Sequence, residues 1–335
     1  MKNSYLGCLI GAAAGDAMGA ASEIRTREEI VRDFNGYITG FEKPPLDTFA
    51  GGRRAGQVTD DFSFAYYACN EILERGGEIS DETAHAYVFK WFNDSQYNRF
   101  CGPTTKASIL ALKGENQVQS AEDRFIHNNG RATNGAGMKA SPIALFSGGD
   151  VDKAISIAMT MTKVTHPNNI SLSGAGAIAA ATARAMQENS SVLDILDAGL
   201  YGAKEGDKYG RNIQTLAGPS IYERIKLAAQ IGVVAEDVPH AIVTIGDVIG
   251  SGLIAAQAIP AVFGIIIASR GDAVKGILGG VNIGDDTDTV ATMVGGILGA
   301  FQGSDVFPKD YLLLLDKENG FNLSLLANKI LETVQ

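Results

Sequence analysis

The chain has 335 residues and a mass of 35.2 kDa, with 45% hydrophobic and 20% charged residues, a balance that supports a sizeable buried core. Its formal net charge is −10 with no long basic run, which excludes a duplex nucleic-acid binder, because neutralising phosphates needs a Lys/Arg footprint. Cys8, Cys69 and Cys101 are odd in number and lack CxxC spacing, which excludes a disulfide framework or zinc site and predicts buried free thiols in a reducing compartment.

Residues 4–22, rich in Ala, Leu and Ile, read as the first helix. Asp16 interrupts this apolar stretch and no clean cleavage region follows, so the segment reads as part of a cytoplasmic protein rather than as a signal peptide. Glu23 lies two helical turns beyond Asp16, which puts both acids on one face. Residues 37–41 are a short strand candidate. Pro44-Pro45 and Gly51-Gly52 bracket a loop that ends just before Thr59. Residues 60–75 and 81–93 carry aromatic and aliphatic side chains at helical spacing, with Ser80-Asp81-Glu82-Thr83 as the start signal of the second and Trp91 as a packing residue.

Further helices are predicted near 103–113, 137–147, 150–163, 171–188, 191–203, 220–231, 249–268, 271–281, 289–302 and 322–333. Between 241 and 268 the only charge is Asp247, yet Gln257 and Pro260 leave an uninterrupted apolar run shorter than the ~20 residues of a membrane span. A buried core helix is expected there, and no membrane association. The 40 glycines need a reason, since Gly inside a helix costs ~1 kcal/mol relative to Ala. Stretches such as Ser173-Gly174-Ala175-Gly176-Ala177 and Val294-Gly295-Gly296-Ile297 suggest helix faces that bring backbones close together. With no internal repeat or long linker, one all-α domain over 1–335 is expected.

Two clusters carry chemistry. Gln57-Val58-Thr59-Asp60-Asp61-Phe62 sets a hydroxyl and two carboxylates where a loop meets an apolar helix. Alone, it reads either as an N-cap with acids in the first turn or as oxygen ligands for a hard divalent cation. Ile283-Gly284-Asp285-Asp286-Thr287-Asp288-Thr289 then gathers three acids and two threonines before a second apolar helix. Capping uses one such side chain, not five, and buried unpaired acids are costly, so a cation is the natural compensator. On an extended loop the spacing turns Asp286 and Asp288 to one side and Asp285 away. An EF-hand is excluded because the bidentate Glu at its twelfth position is missing.

Together with Gly15-Asp16-Ala17-Met18-Gly19 and Glu23, Asn134-Gly135-Ala136-Gly137-Met138 and Thr165-His166-Pro167, these clusters form an ordered set over nearly the whole chain. In that set the sequence resembles the ADP-ribosylglycohydrolases. The resemblance implies an all-α, compact orthogonal multi-helix bundle with two Mg²⁺ or Mn²⁺ ions at the base of a cleft. It implies metal ligation by Thr59, Asp60, Asp61, Asp286, Asp288 and Thr289. The implied activity is hydrolysis of the N- or O-glycosidic bond at the ribosyl carbon of an ADP-ribosylated protein or small molecule. Asp61 or Asp288 would activate water, and Glu23 would stand at the cleft entrance.

The resemblance further implies ligand contacts from Gly102, Asn134, Gly135, Met138, Lys139 and His166. The chain departs from the family pattern in two places. Lys139 stands where Arg is usual, which keeps the charge but loses the bidentate fork, and Phe62 follows the Asp pair where a small hydroxylated residue is common. These departures leave a nucleoside-type ribosyl N-glycosidase as an alternative reading. A non-catalytic crystallin-like or ligand-binding relative is a further alternative, and it would be expected to have lost metal ligands.

Overall fold

The computed structural model describes residues 3–115 and 129–335. Among them the fold is all-α, and the sole β pairing is an isolated antiparallel bridge between Thr133 and Ile254. The chain runs through α1 (Ser4–Gly19), α2 (Arg27–Asp33), α3 (Asp60–Glu74), α4 (Asp81–Phe92) and α5 (Pro103–Leu112). After a short α6 (Ala140–Ala144) come α7 (Val151–Thr162), α8 (Asn169–Met186), α9 (Val192–Arg211), α10 (Ile221–Val234) and α11 (Val238–Val248). The last five are α12 (Ala255–Ala268), α13 (Ala273–Asn282), α14 (Thr287–Gln302), α15 (Lys309–Asn319) and α16 (Leu323–Val334). Helix α12 is buried along nearly its whole length, and no helix among the described residues is long and apolar enough to cross a membrane.

Several expectations need correction. Residues 37–41 form no strand; Ile38 gives its N–H to Asn282 Oδ1 at 2.8 Å and accepts from Nδ2 at 2.9 Å, so a side-chain amide replaces a neighbouring strand. The helix predicted over 249–268 starts only at Ala255; α11 ends at Val248 and Gly250 then adopts φ +87°, a conformation only Gly takes freely. The freed loop pairs instead with the segment before Asn134: Asn134 N–H donates to Leu253 O and Ala255 N–H to Ala132 O, both at 2.9 Å. Helix α2 went unpredicted although its capping box, Thr26 with Glu29, is legible in the sequence. Residues 137–147 hold the short α6 flanked by tight 3₁₀ turns rather than one long helix.

The glycines explain how the two ends of the chain meet. Gly7, Gly11, Gly15 and Gly19 recur at four-residue spacing on α1 and face Gly299, Gly295, Ala291 and Asp288 of α14. A methyl group on Gly15 would lie 2.2 Å from Ala291 O, and one on Gly11 2.0 Å from Gly295 O. The contact is therefore backbone against backbone. A second seam joins α8 to α9, where a methyl on Gly176 would sit 2.4 Å from Gly202 O. We expect Gly15→Ala to destabilise the protein by about 3 kcal/mol, at the upper end of overpacking effects, because no flexible atom can yield. Thermal unfolding checks this against Gly40→Ala, where nothing lies within 4 Å and little change is expected.

Candidate functional site

The α1–α14 seam delivers Asp16 to the N-terminus of α14, and α3 begins beside both. Among the described residues, ten helices are capped by their own N-cap side chain, from Asn3 on α1 to Asn322 on α16. Thr59 before α3 and Asp286 before α14 are N-cap residues of capping type whose side chains do not cap. A simple capping account of the two clusters therefore fails. Asp288 lies in the first turn of α14 and not on an extended loop, because the helix already starts at Thr287. Asp285 stays exposed at the rim with φ +62°, its backbone paired to Ile24 N–H (2.8 Å) and Arg25 O (2.9 Å).

Asp16 does the capping that Thr59 omits. Its carboxylate accepts the Thr59 N–H at 2.9 Å, the Thr59 hydroxyl at 2.8 Å and the Phe62 N–H at 2.8 Å. With its hydrogen committed to Asp16, the Thr59 hydroxyl keeps a lone pair for another partner. The Thr289 hydroxyl donates to Asp61 Oδ1 at 3.0 Å, and Asp288 Oδ1 accepts the Thr289 N–H at 2.9 Å. One oxygen from each of Asp16, Asp61 and Asp288 falls within 4.8 Å of the others, and all three side chains are buried. Across the cleft, Asn134 Nδ2 donates to Asp286 Oδ2 at 2.7 Å.

So many acids raise one another's affinity for protons. Burial, then the Asp16 charge, pushes Asp60 up to about 8. Burial, with Asp286, Asp60 and Asp16, pushes Glu23 up to about 9. Asp61 and Asp288 are driven well above the usual carboxylate range, again by burial first and neighbouring acids second. Asp16 rises only to about 6, because its three hydrogen bonds oppose the burial. Positive influence is sparse: Arg53 acts on Asp16 and Lys139 on Asp60, both through space. The positive ends of two helix dipoles supply part of the compensation, and an all-oxygen donor set suits hard divalent cations for the remainder.

A cavity of about 280 Å³ opens above these acids. Its lining includes all six expected metal ligands, Glu23, and the ligand-contact candidates Gly102, Asn134, Gly135, Met138 and His166. Lys139 is absent from it. Its side chain is fully buried behind the wall, with Nζ 2.9 Å from Thr165 Oγ1 and 4.4 Å from the Phe64 ring centroid. Burial draws its ammonium down to about 7. Gly135 is needed for close approach, since a methyl there would sit 2.8 Å from His166 Cε1. Phe62 is core, packed on Phe321 at 5.7 Å, and Trp91 is buried with Nε1 donating to Ser63 Oγ at 2.9 Å. Cys8 and Cys69 are buried free thiols as expected, whereas Cys101 is only half-buried, in the cavity wall.

Sequence reasoning missed the residues that hold the Thr59 loop. The Val58 N–H donates to Asn319 Oδ1 at 2.9 Å, and the Val58 carbonyl accepts from Arg53. Arg53 is itself buried and stacked over Tyr97 and Phe100 at 5.3 and 5.0 Å. Asn319 ends α15, a helix the periodicity did not reveal, so no local signal tied it to Thr59. Asp16 was legible as a motif residue but not as the partner of Thr59.

The family model for ADP-ribosylglycohydrolase matches residues 1–335. The chain is 28% identical over 331 residues to the uncharacterized protein YegU of Escherichia coli (strain K12), covering 97% of this chain and 95% of that one. It is 24% identical over 323 residues to ADP-ribosylhydrolase ARH3 of Homo sapiens, covering 92% and 87%. A solved ADP-ribosylglycohydrolase-related protein complex superposes with a TM-score of 0.69 at 19% identity, covering 99% of this chain and 98% of the other, which shows a shared fold. This chain belongs to the ADP-ribosylglycohydrolase family.

Proposed function

We propose that the protein is a metal-dependent glycohydrolase that releases ADP-ribose from an ADP-ribosylated protein or small molecule. The observation that carries this is the pair of N-cap residues, Thr59 and Asp286, withheld from capping around a buried, under-neutralised acid cluster. Thr59, Asp60, Asp61, Asp286, Asp288 and Thr289 would hold two Mg²⁺ or Mn²⁺ ions. When bound, such ions supply a hold on ribose hydroxyls and lower the pKa of a nearby water. Asp61 or Asp288 would accept the proton of the attacking water. Glu23, whose carboxyl burial raises above its ordinary value, would give its proton to the departing group. Asn134 steadies Asp286, and Asp16 accepts the Thr59 hydroxyl hydrogen at 2.8 Å, closer than Asp288 Oδ2 at 3.5 Å.

Two expected results test this reading. Incubation with Mg²⁺ should release ADP-ribose from ADP-ribosylated arginine or serine peptides, while free nucleosides are left intact. Release of a free base without ADP-ribose would instead establish the nucleoside N-glycosidase, a reading favoured by one observation: Arg99 is the sole Lys or Arg lining the cavity among the described residues. Secondly, Asn319→Ala should weaken Mn²⁺ binding by about tenfold in calorimetry, the size of effect seen when a residue supporting a metal ligand is lost. It acts by freeing the Val58 N–H beside Thr59.

A further inference from the structure

Lys139 presents a puzzle that the functional reading does not absorb. Its ammonium is fully buried and, among the described residues, joins no carboxylate in an ion pair; Asp60 acts on it only through space. Burying a lone cation is expensive, and a methionine of similar length would fill the same space without that penalty. Its one hydrogen-bond acceptor, Thr165 Oγ1, leads to His166, whose ring reaches Thr133. Thr133 and His166 line the cleft, whereas Lys139 and Thr165 do not.

We propose that Lys139 is a positioning residue whose ammonium fixes the direction of the Thr165–His166–Thr133 hydrogen-bond chain, so that Thr133 presents a hydroxyl hydrogen to a diphosphate oxygen in the cleft. An ammonium has donors and no acceptor, so Thr165 Oγ1 accepts from it. The Thr165 hydrogen then goes to the nearer of two acceptors, His166 Nδ1 at 2.9 Å over Thr162 O at 3.3 Å. His166 therefore carries its hydrogen on Nε2 and donates to Thr133 Oγ1 at 2.9 Å. With that lone pair engaged, the Thr133 hydrogen is left for the cleft. Every link donates outward, and a cation buried behind the wall makes the wall a donor. Burial and the Lys139 charge keep the imidazole neutral, as a single tautomer requires. Gly135 leaves room for that ring, since a methyl there would sit 2.8 Å from His166 Cε1 and Nε2.

The proposal rests on the ADP-ribosyl reading for its ligand, but not for its chain of donors. Long-range ¹H–¹⁵N spectra of the full-length protein, at a pH well below about 7 where Lys139 is charged, should show His166 as the Nε2–H tautomer. Lys139→Met should convert it to Nδ1–H or a mixture and weaken ADP-ribose binding about tenfold by calorimetry. Lys139→Gln, whose amide can donate or accept and so no longer fixes the direction, should do the same and serves if the Met variant does not fold. In a Thr133→Val background, Lys139→Met should cause no further loss of affinity. An Nδ1–H tautomer in the parent protein, an unchanged tautomer in both variants, or additive losses with Thr133→Val would overturn the proposal. Failure of the parent protein to bind ADP-ribose at all would overturn the functional reading instead, and the tautomer result would stand by itself.

Discussion

Asp288→Asn should yield a protein that is more stable than its parent without metal and inactive with it. Asp288 is 3% exposed, and burial with Glu23 and Asp61 nearby holds its carboxyl well above the usual range. Folding at neutral pH must therefore either protonate it or bury a repelled charge, at ~1.4 kcal/mol per pH unit of displacement. Asparagine keeps the oxygen that accepts the Thr289 N–H and removes the ionisation, so a gain of a few kcal/mol is expected for the metal-free protein. At roughly 2 °C per kcal/mol for a chain of this size, the melting temperature should rise by several degrees. The same change removes a proposed cation ligand and candidate base, so kcat should fall by about 10³-fold. Calorimetric melting with and without Mn²⁺, beside ADP-ribose release, reads both arms. A variant less stable than the parent in the metal-free state would show that Asp288 is structural.

The metal-free protein should also lose stability as pH rises from about 5 to about 8, the reverse of ordinary acid denaturation. The sign follows from linkage. In the unfolded chain Asp and Glu release protons near their model values of 3.8 and 4.5, while in the folded chain Asp60 retains its proton up to about 8 and Glu23 up to about 9. Between those limits the folded state binds more protons, so its advantage is full at low pH and is lost on the way up. Two bases oppose the trend. Buried His166, held well below 6.5, gains stability as pH rises towards 6.5, and Lys139, drawn down from 10.5 to about 7, gains above that. Each is a single group against four or five acids, so the decline prevails. Bound Mg²⁺ or Mn²⁺ competes with those protons, so the stabilisation by metal should grow over the same window. Melting curves at stepped pH, with chelator and with metal, would show the two profiles diverging. Parallel profiles would sink the idea of a cation site.

How far the sequence could be read depended on whether the information was local. Both acid clusters were legible because each is contiguous and opens an apolar helix, and the all-α class followed from periodicity and the scarcity of alternation. Helix α2 escaped because seven residues carry too little period, although its capping box was in plain view. The break at Gly250 escaped because the apolar composition runs on through it; a left-handed backbone leaves no mark beyond one glycine among 40. Lys139 was expected in the cleft on its charge and its place in a motif, and it is buried behind the cleft because Phe64 and Thr165 receive its head group there. Asp16 meets Thr59, and Asn319 meets Val58, only through tertiary packing. The small residues facing each other along α1 and α14 hint at such contacts but do not state which partner is met.

The backbone seam between α1 and α14 has a consequence for the order in which the protein is made. Helix α1 leaves the ribosome long before α14, and its glycine face lacks the backbone it packs against until α14 has followed. Until then Asp16 has no Asp288 beside it, and the acid cluster does not exist. A nascent chain cannot take up metal early, and it carries an unpaired apolar helix through most of its translation. Any cation held by this cluster would therefore be captured late, by chains that have been made as far as α14.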